Sequence, residues 1–153
     1  MNSTQVQLIR ETFALVAPRA HVAALVFYRR LFELDPTLRG LFSAEIEDQG
    51  RKLMQMLAAA VRLLDKPESL VPVLQDLGRR HVGYGVRDEH YDTVGAALLW
   101  MLGETLGMAF TAPARDAWAA LYGVVATTMK SAAAEVSLTP APARRCERAA
   151  AAP

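Results

Sequence analysis

Three residues place polar chemistry on helical faces that are otherwise apolar. His81 shares a face with Leu70, Val73, Leu74 and Leu77, at offsets of eleven, eight, seven and four, so an imidazole closes an apolar stripe. Two readings fit it. Periodicity alone favours a core histidine bonded to a backbone carbonyl; the other is a ligand, with one ring nitrogen facing a cavity and its partner nitrogen fixed by the preceding turn. In the last turn of its helix, His81 has free carbonyls within reach. Tyr28 lies with Ala24, Leu25, Leu31 and Phe32, where a core tyrosine bonded to a carbonyl is the ordinary explanation. Gln49 lies with Leu53 and Met56. Burying an unpaired amide costs on the order of 1–3 kcal/mol, so partial exposure early in its helix is the expectation. Gly50, the next residue, predicts a close approach between the helices that carry Tyr28 and Gln49.

The familiar hydrolytic, phosphate-binding and zinc-binding patterns are missing. The sequence contains no Gly-rich phosphate loop, no G-x-S-x-G, no H-E-x-x-H and no paired-cysteine motif. Cys146 stands alone, which excludes an intramolecular disulfide framework. The three histidines, at 21, 81 and 90, are too scattered for a local multi-histidine site. His21 and His90 read as surface or helix-start residues.

The elements that must position these residues are helices throughout, since glycine is sparse and apolar residues recur at three and four rather than alternating. Breaks at Pro18, Pro36, Ser43, Pro67, Gly83 to Gly85 and Pro113 divide the chain into seven segments. The first runs from Thr4 to Ala17 and the second from Pro18 to Leu34. Asp35-Pro36 reads as a cap with proline at the first helical position, opening a short third segment through Phe42. Ser43 is the expected cap of a fourth segment ending near Leu64, with Glu45 and Glu47 in the first turn. Its inward stripe is Gln49, Leu53, Met56, Leu57, Ala60 and Leu64. The fifth is expected to be capped by Ser69, with Pro72 in its first turn and Gly83 and Gly85 at its end. The sixth, Asp88 to Leu106, presents Tyr91, Val94, Leu98, Met101 and Leu102. The seventh, Ala112 to Val136, presents Trp118, Leu121, Tyr122, Val125 and Met129. These two are long enough to pair antiparallel. Residues 137–153 are rich in proline, alanine and arginine with no apolar face, and are read as a disordered tail.

The chain has 153 residues, 52% apolar and 22% charged, with 17 basic and 16 acidic groups for a net charge of +1. That is the profile of one soluble all-α domain large enough to bury a core and a ligand. The balance leaves no electrostatic footprint for nucleic acid or an anionic membrane, and no apolar run approaches the ~20 residues of a spanning helix. A polar N-terminus with no basic-then-apolar segment predicts a cytoplasmic protein.

The stretches FYRRLFELDPTLRGLF (27–42), QGRKLMQML (49–57), LVPVLQDLGRRHVGYGVRDEHYDTVGAALL (70–99) and AWAALYGVVATTM (117–129) carry a family resemblance. The chain resembles the bacterial single-domain globins of the flavohaemoglobin lineage, of the Vitreoscilla-haemoglobin and Hell's Gate types. The resemblance implies a three-on-three helical sandwich over residues 1–136 enclosing haem b. It makes His81 the iron ligand, Phe42 the ring on the haem face, Tyr28 and Gln49 the distal polar pair, and Leu53 the apolar residue over the iron. Lys52 falls where a propionate contact is implied, Tyr91 near the proximal side, and Leu77 and Val94 on the haem-lining faces. One departure is notable. The lineage carries a glutamate in the last helix that bonds the proximal histidine, and here that position is Ala133. Glu135, two residues on, is turned by roughly 200°. A weaker proximal push moves the expectation from peroxidase-like chemistry toward binding of O2, NO and CO.

Three functions follow from the resemblance: reversible oxygen binding for storage or delivery, with NO scavenging; NO dioxygenation with a separate reductase; and a haem-based gas or redox sensor subunit. An all-α interaction module without haem is the reading from another class. A monomer or homodimer is expected.

Overall fold

The computed structural model describes residues 1–42 and 45–138. Six α-helices make up the fold: α1 (Ser3–Val16), α2 (Ala20–Leu34), α3 (Ile46–Arg62), α4 (Pro67–Gly83), α5 (Asp88–Leu106) and α6 (Ala112–Leu138). Short 3-10 turns at Ala17–Arg19, Pro36–Leu41 and Gly107–Ala109 join them. The all-α expectation holds, and the described residues contain no strand. None of their helices is long and apolar enough to cross a membrane.

Local chemistry sets the boundaries. Asn2 and Gln5 form a reciprocal capping box on α1. Asp35 caps the Pro36–Leu41 turn by accepting from the Thr37 N–H at 3.0 Å, with Pro36 at the first position, as the sequence predicts. Thr111 caps α6 by accepting from the Ala114 N–H at 3.3 Å. Gly85 and Gly107 adopt positive φ, +85° and +55°, just past the ends of α4 and α5, a conformation that favours glycine.

Several boundary expectations change. Ser43 lies outside the described residues, and the N-cap position of α3 is Glu45, which makes no side-chain cap bond. Ser69 does not cap α4; the helix starts at Pro67, whose missing N–H is an orphan there anyway. Pro72 therefore sits inside the helix, beyond its first turn, on an exposed face. Its ring removes one N–H from the ladder. α6 runs to Leu138, past the expected end at Val136, and the rest of the expected tail lies outside the described residues.

The packing differs from the expected pairing of the last two helices. α6 lies chiefly along α4, and α5 along α2, while α5 and α6 meet over a shorter stretch. Glycines explain two close crossings, of α4 with α6 and of α2 with α3. A Cβ on Gly78 would lie 2.7 Å from the Met129 Cα, so α4 and α6 touch backbone to backbone. A Cβ on Gly50 would lie 2.8 Å from the Ala24 Cβ and 4.0 Å from the Tyr28 ring. That is the close approach of α2 and α3 expected from the sequence. Trp118, fully buried on α6, donates from Nε1 to Thr12 Oγ1 at 2.8 Å and so ties α6 to α1. Two residues assigned to apolar stripes face outward instead: Val73 is 38% exposed and Leu25 43%. Each lies at the edge of its stripe, beyond the reach of the neighbouring helix.

Candidate functional site

The helices enclose one large apolar cleft, bounded by α2, the Pro36–Leu41 turn, α3, α4, the start of α5 and α6. The space between its walls, open mouth included, is about 1150 Å³. Seven of the nine residues singled out from the sequence line it: Tyr28, Phe42, Leu53, Leu77, His81, Tyr91 and Val94.

His81 contributes an imidazole to the α4 part of this wall, one turn after Leu77. Its Nδ1–H donates to the Leu77 carbonyl at 2.8 Å, one turn back. A carbonyl can only accept, so the proton is on Nδ1 and the Nε2 lone pair is bare. Burial pushes the imidazole down to about 4, against the Leu77 hydrogen bond, and nearby Arg80 lowers it further. The ring is therefore neutral at physiological pH. His81 thus bonds a backbone carbonyl and lines a cavity, the geometry that each of its two readings requires.

Tyr28 is held in an aromatic cluster. Its ring meets Phe27 edge-on at 5.0 Å and Phe42 edge-on at 5.5 Å, and it stacks with Phe32 at 6.0 Å. Burial raises its phenol well above the usual range, so the hydroxyl keeps its proton and can donate a hydrogen bond. Tyr91 is raised too, by burial and then by the charge of Asp88, and its buried hydroxyl has no partner among the described residues. The Tyr122 hydroxyl donates to the Tyr91 carbonyl, fixing the start of α5 against α6.

Gln49 departs from expectation. It is 0% exposed rather than partly exposed, and neither its amide nitrogen nor its amide oxygen has a partner among the described residues. The close crossing at Gly50 seals it between α2 and α3. It lies one turn before Leu53 but is not on the cleft wall. Lys52 is exposed on α3 and does not line the cleft.

Sequence reasoning missed one polar group of the site. His90, read as a surface or helix-start residue, is at the start of α5 but buried, and it lines the cleft. Its Nδ1 accepts from the Arg87 N–H at 2.9 Å. The Arg87-to-His90 spacing of a capping arrangement was the available signal. The apolar floor, Leu31, Trp118 and Leu121, was legible only as generic core.

The globin family model matches residues 25–129, most of the chain. The chain is a globin. Among curated relatives, the neuroglobin of Chaenocephalus aceratus is 37% identical over 137 residues, covering 80% of this chain and 86% of that protein. A flavohemoprotein of Chromobacterium violaceum is 36% identical over 126 residues, covering 80% of this globin but only 31% of that protein. Among solved structures, an engineered carbene transferase derived from a candidate nitric oxide dioxygenase of Rhodothermus marinus superposes with TM-score 0.81. The two share 28% identity over 90% of this globin and 96% of that chain. A hexacoordinated haem protein from a tardigrade superposes with TM-score 0.80 at 16% identity, which speaks to the fold alone. Neuroglobins match as well as the flavohemoprotein does, so the identification stands at the level of the globin family rather than of the bacterial lineage. Haem-based binding of diatomic gases is the chemistry of that family.

The residues present fit a haem. The cleft is apolar, it offers a neutral imidazole with a bare Nε2, and the orphaned Tyr91 hydroxyl belongs to a residue of its wall and is a buried polar group of the kind a bound group would satisfy. At the position resembling the lineage's glutamate, Ala133 is half-buried on α6, and Glu135 is exposed. The groups that shift His81 are burial, the Leu77 carbonyl and Arg80, with no carboxylate among them.

Proposed function

We propose that this globin holds haem b through His81 and reversibly binds dioxygen, with NO and CO as further ligands, as a member of the flavohaemoglobin lineage acting in the cytoplasm. The observation that carries the reading is His81 itself: a neutral imidazole, oriented by the Leu77 carbonyl, with its free nitrogen on the wall of the apolar cleft. Ferrous haem supplies reversible coordination of diatomic gases when bound. The rest falls to the chain. Leu77, Val94 and Phe42 would exclude water from the bound group, and Leu53 presents an apolar surface on the α3 side. Tyr28, protonated and gripped by three phenylalanines, is a rigid hydrogen-bond donor toward partial negative charge on a gas ligand. Gln49, its amide without a partner among the described residues, would be the second donor, and Lys52, exposed on α3, would meet a propionate. A carbonyl acceptor behind His81 increases its electron donation less than a carboxylate does, which favours gas binding over peroxidase-like chemistry. The functional unit is residues 1–136.

The test is the absorption spectrum of the purified protein, ferric, reduced and reoxygenated, beside His81→Ala. A Soret band and a stable oxygenated form that depend on His81 are expected; no Soret band after haem is supplied refutes the reading.

A second reading, NO dioxygenation with a separate reductase, is favoured by the likeness to the flavohemoprotein and to the Rhodothermus marinus structure. Repeated turnover of NO to nitrate under a reducing partner, rather than one conversion per haem, distinguishes it from simple binding.

A further inference from the structure

Tyr84 takes no part in the cleft wall, yet its ring bears on the residue that carries the site. We propose that Tyr84 is a positioning residue for the His81 imidazole, its ring acting as a stop that keeps the bare Nε2 on the cleft. The restraint belongs to the chain itself; its consequence for a bound cofactor rests on the haem reading above. A histidine ring turns about a broad, roughly two-fold torsion. Half a turn would put carbon atoms where Nδ1 and Nε2 stand, so the Leu77 carbonyl would lose its donor and the cleft its lone pair. The 2.8 Å bond from Nδ1 to the Leu77 carbonyl resists that turn, but one hydrogen bond exchanged against water is a modest restraint.

The second restraint comes from the turn just beyond α4. Tyr84 is the C-cap of that helix, and its N–H donates to the His81 carbonyl at 3.1 Å. The Val86 N–H reaches the same carbonyl at 3.2 Å, and Gly85, between them, makes the reversal at φ +85°, a conformation that favours glycine. Two main-chain bonds to one carbonyl therefore fix the turn on the residue it must restrain. The turn brings the Tyr84 ring onto the imidazole, with centroids 5.4 Å apart and planes tilted by 59°. Tyr84 is half-buried and outside the cleft lining, so it braces the imidazole without taking space from a bound group. The contact is ring to ring, which makes the flat ring, and not the hydroxyl, the part that acts.

The test follows the His81 ring by NMR in the full-length chain with 15N-labelled histidine, without haem and as the ferrous CO complex, in the wild type, Tyr84→Phe and Tyr84→Ala. Ring protons of His81 and Tyr84 should show nuclear Overhauser contacts in the wild type, and their absence overturns the proposal whatever the variants do. The Nδ1–H proton should exchange with water several-fold faster in Tyr84→Ala, while Tyr84→Phe keeps the wild-type rate. Should Tyr84→Ala fail to fold, Tyr84→Leu, which keeps bulk but no flat ring, takes its place with the same expectation. In the reduced, haem-loaded protein the iron–histidine stretch, read by resonance Raman, should shift and broaden in Tyr84→Ala and stay in place in Tyr84→Phe. A merely structural role would lower the melting midpoint of Tyr84→Ala and leave the exchange rate and the stretch as in the wild type; that result overturns the proposal, and so does Tyr84→Phe behaving as Tyr84→Ala. If the chain takes up no haem, the haem reading falls, and the exchange rates measured without haem still decide whether Tyr84 braces the ring.

Discussion

Replacing Gln49 with leucine should raise stability and weaken gas retention together. The amide is 0% exposed, and both of its polar atoms lack a partner among the described residues. Leaving a buried polar group unsatisfied costs about 1–3 kcal/mol, and leucine fills a similar volume with no polar atom. Gln49→Leu should therefore stabilise the gas-free protein by about 1–3 kcal/mol. In a domain of this size each kcal/mol moves the melting midpoint by roughly 2–4 °C, so a rise of several degrees is expected by circular dichroism. The opposite sign is expected for the gas complex. If the amide donates to the bound ligand, its loss removes about 0.5–1.5 kcal/mol, which at 1.4 kcal/mol per tenfold is roughly a two- to tenfold faster oxygen dissociation, read by stopped-flow displacement with CO. A lowered melting midpoint would mean that the amide is satisfied inside the protein and would refute the premise. A raised midpoint with an unchanged off-rate would mean that it is orphaned but does not serve the ligand.

Tyr28→Phe should speed oxygen dissociation by about tenfold, the worth of one good hydrogen bond, with the Soret spectrum retained; an unchanged off-rate removes Tyr28 from the distal side. Gly78→Ala should destabilise the fold by about 1–3 kcal/mol, since the added methyl meets the Met129 backbone. Gly123→Ala, at a helical site with nothing within 4 Å, should stabilise by about 0.5–1 kcal/mol, and urea melts of the pair report both signs. The haem-free chain should lose stability as pH falls. Burial holds His81 at about 4 against an ordinary value of 6.5, so between those values the unfolded chain binds the proton and the folded chain does not. The loss is no more than about 3 kcal/mol. His81→Phe should flatten that part of the profile in urea melts from pH 7 to 4, and an unaltered slope would contradict the burial of the ring.

Much of the site was legible one helix at a time. The spacing from Leu70 to His81 puts the imidazole on the inward face of α4, and the structure keeps it there. Asp35-Pro36 announces its turn because a capping carboxylate and a fixed φ act within four residues. Ser43 and Ser69 misled for the same local reason: both are good caps in isolation, but the positions they were assigned are held by Glu45 and Lys66. His90 was missed because its burial comes from the elements packed around it and leaves no periodic trace in its own segment.

What the sequence determined by itself is what backbone geometry and side-chain period decide locally: helices throughout, the inward stripes, the imidazole at the end of one of them, and glycine at the α2 and α3 crossing. Which helices meet was decided only in three dimensions. The pairing of α6 with α4 rather than α5 depends on Gly78 meeting the Met129 backbone, fifty-one residues away in sequence. Full burial of the Gln49 amide comes with the close approach of Ala24 and Gly50 across α2 and α3. Burial and cavity shape are properties of several elements at once, and no single segment carries them.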